Sequence, residues 1–239
     1  MEVLNDLLGY KNIKIYQNTQ MFSFSLDSVL LANFVNINKK VSNILDIGTG
    51  NASIPLILSQ KTDAKITGVE IQEDVFSLAM KSIQYNKLQN QITVINDDIN
   101  NKYKEWNSES FDIITCNPPF FKITENVKLN ESVYKRYARH EITLNIQQIF
   151  KIARKLLKNN GTINIVHRPD RLVEILNIME QNNIEPKRLR FIYPRINESA
   201  NMVLIEGVKM GKSGVKIESP LIVHDKDGNY TEDVKCFFS

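Results

Sequence analysis

Asn43-Ile44-Leu45-Asp46-Ile47-Gly48-Thr49-Gly50-Asn51 is a short apolar run that ends on an acid and then turns through two glycines. The run reads as a buried strand. The glycines let the backbone turn tightly and approach a ligand with no Cβ in the way. Ile54-Pro55-Leu56-Ile57-Leu58-Ser59-Gln60 then continues as a helix. Strand, glycine turn and helix together open a βαβ unit.

The same alternation runs outward from there. Residues 65–70 (KITGVE) read as a second strand, and 73–87 as a helix from the spacing of Val75, Leu78, Ala79 and Ile83. Residues 92–97 (ITVIND) are a third strand, and the polar stretch 98–110 reads as a loop. Residues 111–116 (FDIITC) form a fourth strand, stopped by Asn117-Pro118-Pro119. The basic, weakly periodic stretch 122–140 reads as a loop, and 142–158 as a helix with its C-cap at Asn159-Asn160-Gly161. A fifth strand at 162–167, a helix at about 170–182, and two strands in RLRFIYP and NMVLIEGV complete the pattern. It predicts an α/β fold: a Rossmann-like, largely parallel seven-stranded sheet with helices on both faces. Residues 1–40 are expected to form a helical or strand extension packing on this core, with 41–239 as the main domain.

Composition narrows the class. The apolar fraction of 42% supports a sizeable core, and no apolar run is long enough to span a bilayer. Cys116 and Cys236 cannot make a disulfide framework, which is the expectation for a reducing cytoplasm. The net charge of +3 is unevenly spread: residues 1–120 carry 10 Lys, no Arg and 13 acids, whereas 121–239 carry 12 Lys, 8 Arg and 14 acids. Arginine's planar fork suits phosphate, so the second half points to a polyanionic partner.

In parallel sheets ligands sit beyond the carboxyl ends of the strands, where three acids fall in succession. Asp46 precedes Gly48, Thr49 and Gly50. Glu70, followed by Ile71, ends the second strand and can accept both hydroxyls of a ribose. Asp97 and Asp98 end the third, where a carboxylate can accept from an adenine amino group while the next backbone N–H, at Ile99, donates to the ring. Position 53 is serine, so the third glycine that seats a pyrophosphate is missing. An acid at the first strand end suits a sulfonium cofactor with an amino acid tail better than two phosphates.

Asn117-Pro118-Pro119-Phe120 follows the fourth strand, beside the same crevice. A planar amine has a delocalised lone pair that must be aimed in line at a methyl carbon. The Asn117 side-chain oxygen and the Pro118 carbonyl can each accept one of its N–H groups, and they favour the positive charge that develops on nitrogen. The prolines fix φ, and Phe120 can stack on a flat acceptor. Neither a strong general base nor a metal is needed.

These residues resemble class I methyltransferases of the amino-group type. More narrowly, the chain is similar to the bacterial tRNA1(Val) adenine-37 N6-methyltransferase family over nearly its whole length. The resemblance rests on Asp46 to Asn51 and Asn117 to Lys122, on Phe22 to Leu31 as the opening helix, and on Ala138-Arg139-His140-Glu141, Val166-His167-Arg168-Pro169 and Pro186-Lys187-Arg188-Leu189-Arg190. It differs at Ala52, where relatives often have glycine. The resemblance implies S-adenosyl-L-methionine as cofactor and an unpaired adenine of valine tRNA as acceptor. It implies a cofactor site of Asp46, Gly48, Thr49, Gly50, Glu70, Ile71, Asp97, Asp98, Ile99 and Asn117. Lys122, Arg136, Arg139, His140, Arg168, Lys187, Arg188 and Arg190 would grip the RNA, and the enzyme is expected to be a cytoplasmic monomer. A glutamine-amide or guanine-N2 acceptor is the alternative, although glutamine methyltransferases more usually carry tyrosine in place of Phe120.

The remaining signals are weaker. His140, His167 and His224 lack zinc spacing, and Cys116 reads as a buried strand residue. Asp225-Lys226-Asp227-Gly228-Asn229 lacks the closing Glu of a calcium loop and reads as a hairpin turn. Asp27 reads equally as a site residue or as a helix N-terminal acid.

Overall fold

The computed structural model describes residues 1–18, 26–118 and 144–238. The chain opens with an antiparallel hairpin of β1 (Glu2–Leu7) and β2 (Tyr10–Asn18), followed by α1 (Leu26–Phe34). The strand, glycine turn and helix of the central motif are β3 (Asn43–Ile47) and α2 (Ser53–Leu58). Next come β4 (Lys65–Glu70), α3 (Glu73–Tyr85), β5 (Ile92–Asn96), α4 (Ile99–Glu105) and β6 (Phe111–Cys116). Beyond residue 143 lie α5 (Ile146–Leu156), β7 (Leu157–His167), α6 (Leu172–Gln181), β8 (Ile184–Tyr193) and β9 (Met202–Lys209). The short β10 (Lys216–Ile217), β11 (Leu221–Ile222) and α7 (Glu232–Lys235) close the chain.

The expected seven strands form the body of one sheet, ordered β8-β9-β7-β6-β3-β4-β5. β3, β4, β5, β6 and β7 run parallel, and β9 is antiparallel to both of its neighbours. Two-residue strands β10 and β11 extend the β8 edge in parallel, giving nine strands among the described residues. Side-chain alternation along each strand divides the core into two layers. Ile44, Ile66, Ile92, Ile113, Val166 and Leu204 pack with α1, α2, α3 and the hairpin. Leu45, Val69, Ile114, Ile163 and Ile205 pack beneath α5 and α6 on the other face. All of the parallel strands end on one edge of the sheet, where the site lies.

Two expectations are corrected. The stretch 98–110 contains α4: Asp98 caps it by accepting the Asn100 N–H at 2.8 Å, and Ile99 anchors it in the core. Asn159-Asn160-Gly161 lies within β7 and does not cap α5, whose C-cap Leu157 is already extended. The distortion is instead a strand irregularity. Asn160 adopts φ 64°, the pairing with β6 shifts between Phe111 and Ile113, and a Cβ on Gly161 would come within 2.9 Å of the Asp112 carbonyl. The turn at Asp225 forms as expected: Asp225 N–H donates to the Asn229 carbonyl, flanked by a His224–Tyr230 bridge.

Candidate active site

The glycine loop is held from below and from the side. Asp46 is 1% exposed and accepts the Thr115 hydroxyl at 2.6 Å and the Thr49 hydroxyl at 2.7 Å. Burial raises its carboxyl to about 7, opposed by those two hydrogen bonds and reinforced by the charge of Glu70. Thr49 N–H donates to the Val69 carbonyl at 3.0 Å, and the Thr49 side chain lies over Gly68, where a Cβ would come within 2.8 Å of it. Asp46 thus sits under the loop and shapes it through Thr49.

Glu70 binds the loop across the strand ends. One carboxylate oxygen accepts the Gly50 N–H at 3.0 Å and the other the Gln72 N–H at 2.9 Å. Each oxygen keeps a further lone pair that can accept a hydroxyl. Gly48 and Gly50 have φ 66° and 59°, and a Cβ on either would meet nothing within 4 Å. The loop therefore presents bare backbone to open space beside Glu70, the shape of a cradle. Ile71, 41% exposed, is the apolar surface next to it.

At the β5 end, Asp97 is half-buried, and its carboxylate accepts the Asp98 N–H at 2.7 Å. Asp98 is occupied as the α4 cap and Ile99 is 5% exposed in the core, so both side chains serve the fold. Glu70, Ile71 and Asp97 are the expected cofactor-site residues on these strand ends whose side chains the core does not take up.

Asn117 stands just past β6, one strand from Asp46 and two from Glu70. Its amide Nδ2 donates to the Ser28 hydroxyl on α1, 3.1 Å away and 89 positions earlier in the chain. Pro118 is buried. Pro119, Phe120, Lys122, Arg136, Arg139 and His140 lie outside the described residues, as do the resembling segments around 22–25 and 138–141. Ser28 was not distinguished within its segment by sequence, because its partner lies 89 positions further along the chain.

The basic residues separate. Arg168 is exposed just beyond β7, on the same edge as Asn117. Lys187 folds its ammonium onto the carbonyls of Lys212 at 3.0 Å and Gly214 at 2.6 Å, and Arg190 donates to the Ser219 carbonyl at 3.1 Å. Arg188 is corrected from an RNA-facing residue to an internal one. Its side chain is 12% exposed and pairs with Glu206 at 2.7 Å and Glu218 at 3.2 Å, and its guanidinium lies 3.8 Å from the Phe34 ring centre. It also donates to the Phe34 carbonyl. Among the described residues there is no group of side chains that could hold a metal, and no helix is long and apolar enough to cross a membrane.

Comparison with known proteins places this geometry. A tRNA1(Val) (adenine(37)-N6)-methyltransferase from Shewanella woodyi is 24% identical over 88% of this chain and 88% of its own length. One of the same name from Christiangramia forsetii is 26% identical over 97% of this chain and 95% of its own. In fold, the chain is similar to a predicted O-methyltransferase from Agrobacterium tumefaciens, with a TM-score of 0.70 at 18% identity, covering 89% of this chain and 97% of that one. The family model of the methyltransferase domain matches residues 38–212, well over half of the sequence, and the chain belongs to that methyltransferase family.

Proposed function

We propose that this protein transfers a methyl group from S-adenosyl-L-methionine to the exocyclic N6 of an adenine in tRNA, with adenine-37 of valine tRNA as the acceptor. The observation that carries the reading is the placement of Asn117 at the end of β6, on the same edge of the sheet as the strand ends that bear Glu70 and Asp97. The names of the relatives direct the acceptor to tRNA.

The residues present fit the donor. Glu70 would accept the ribose hydroxyls, Ile71 would lie against the adenine, Asp97 would accept from its amino group, and the bare backbone of Gly48 and Gly50 would border the tail. The bound donor supplies an electrophilic methyl carbon. The chain's own residues do the rest. The Asn117 amide oxygen would accept an N–H of the target amine and aim its lone pair, and it would stabilise the charge that grows on nitrogen as the N–C bond forms and the methyl–sulfur bond breaks, its electron pair leaving with the donor's sulfur as a neutral thioether. The proton is lost afterwards, when the methylated nitrogen has become acidic, so no strong base is required. Arg168 lies on the correct edge to meet a phosphate, and the basic stretch from Lys122 to His140 would extend that grip. A base that is unpaired in a loop can be splayed toward the site at low cost. Such a reaction belongs in the cytoplasm.

Labelled methyl transfer to total tRNA, followed by nucleoside analysis, tests the reading. N6-methyladenosine in valine tRNA is expected, abolished by Asn117→Ala while cofactor affinity is largely kept. Label in ribosomal RNA or protein instead would move the acceptor, and full activity of the variant would remove Asn117 from the chemistry.

A further inference from the structure

Asn117 can guide an amine only if its amide is held in one orientation, and the structure shows what holds it. Asparagine has two rotatable side-chain bonds and an amide whose oxygen and NH2 ends are nearly alike in shape. Turned the wrong way, it would present N–H groups to the N–H groups of the acceptor. The Nδ2–H to Ser28 Oγ hydrogen bond, at 3.1 Å, ties down the NH2 end, and the oxygen lies at the opposite end of the same plane.

Ser28 is unusual in its surroundings. Val29, Leu30, Leu31, Ala32 and Phe34 are the other buried side chains of α1, all apolar, and Ser28 is 6% exposed among them. Burying a hydroxyl is unfavourable unless it is hydrogen-bonded, and Asn117 supplies that partner. The helix that carries Ser28 is itself clamped. Lys61 donates to the Ala32 carbonyl at 2.9 Å and the Asn33 side chain at 2.8 Å, and Arg188 donates to the Phe34 carbonyl while covering the Phe34 ring. Both cations sit at the C-terminal carbonyls, where the helix carries partial negative charge. Arg188 is in turn held by Glu206, whose strand neighbours continue as Asn164, Thr115 and Asp46 in one row across the sheet, the last two hydrogen-bonded to each other. The helix bearing Ser28 and the acid under the glycine loop are therefore built on the same polar row.

We propose that Ser28 is a positioning residue, which holds the Asn117 amide in the orientation that receives the acceptor amine. This rests on the amine-binding role of Asn117 given above. In steady-state transfer with the full chain and tRNA, Ser28→Ala is expected to lower kcat on the order of tenfold to a hundredfold. KM for tRNA should stay within about threefold and the melting temperature should be unchanged. Ser28→Thr, which keeps the hydroxyl, is expected to recover most of the loss. A kcat within about twofold of wild type in Ser28→Ala would overturn the proposal. So would a loss that Ser28→Thr shares and that follows a lowered melting temperature.

A second measurement needs no activity. The side-chain NH2 resonances of Asn117, identified by their disappearance in Asn117→Asp, should exchange with solvent about tenfold faster in Ser28→Ala than in wild type. Equal exchange would overturn the positioning role even if tRNA is methylated. If wild type leaves tRNA unlabelled but the exchange difference is present, the acceptor assignment fails and the positioning contact stands.

Discussion

The Gly50 backbone N–H donates to the Glu70 carboxylate at 3.0 Å, joining the glycine loop to the acid of the next strand. One side chain therefore shapes the cradle and offers lone pairs to a ligand. Glu70→Ala should leave the Gly50 and Gln72 N–H groups without their acceptor, at about 1–3 kcal/mol for each group that water does not reach. Cofactor affinity, measured by calorimetry, is expected to fall sharply together with the melting temperature. Unchanged affinity would mean that Glu70 serves the loop alone.

Arg188 and Arg168 should part company when replaced. Arg188→Ala strands Glu206, whose side chain is 10% exposed, and breaking a buried pair costs about 3–5 kcal/mol. Denaturant melts should show that loss. Arg168→Ala should leave stability unchanged and reduce the salt dependence of tRNA binding by about one phosphate contact. If the two variants change the salt slope equally, Arg188 has an RNA contact that its burial argues against.

Much of this was legible in the sequence. The β3 to β6 strands are apolar runs closed by turn residues, and the acids at their ends fall where parallel topology gathers them. What was not legible depended on register and on partners distant in sequence. Arg188 and Arg190 alternate with Leu189 as surface residues of an edge strand would, but the pairing with β9 sets Arg188 opposite Glu206 and under Phe34. The helix α4 has a single buried residue, Ile99, so no apolar periodicity announced it, and its start is set by the Asp98 cap. The contact of Ser28 with Asn117 joins two elements that no local pattern connects.

Ala52 holds φ 68° at the start of α2, a left-handed conformation that costs a residue with a Cβ about 1–2 kcal/mol. Glycine avoids that cost but loses about 0.5–1 kcal/mol in backbone entropy. Ala52→Gly is therefore expected to be neutral to slightly stabilising in thermal melts. A clear destabilisation would mean that the fully buried Ala52 methyl contributes more through packing than its conformation costs.

Asp46 and His167 should tilt the stability profile in opposite directions. Burial raises the folded Asp46 carboxyl from 3.8 to about 7, so the folded chain holds a proton that the unfolded chain has released. Its effect is to make stability fall as pH rises from about 4 to about 7. Burial lowers the His167 imidazole from 6.5 to about 4, so the unfolded chain binds a proton that the folded chain refuses. Its effect is to make stability rise over about pH 4 to 6.5 and to be lost as pH falls through that range. The two slopes oppose each other, and their joint contribution to the wild-type profile should be shallow there. Asp46→Asn is expected to leave the rising limb, and His167→Phe the falling one, each with a slope approaching about 1.4 kcal/mol per pH unit. Melting temperatures recorded across this range for the three proteins would decide it, since only the slopes, and not the absolute stabilities, need to be compared. Parallel profiles for all three would mean that neither group changes its protonation on folding as its burial requires.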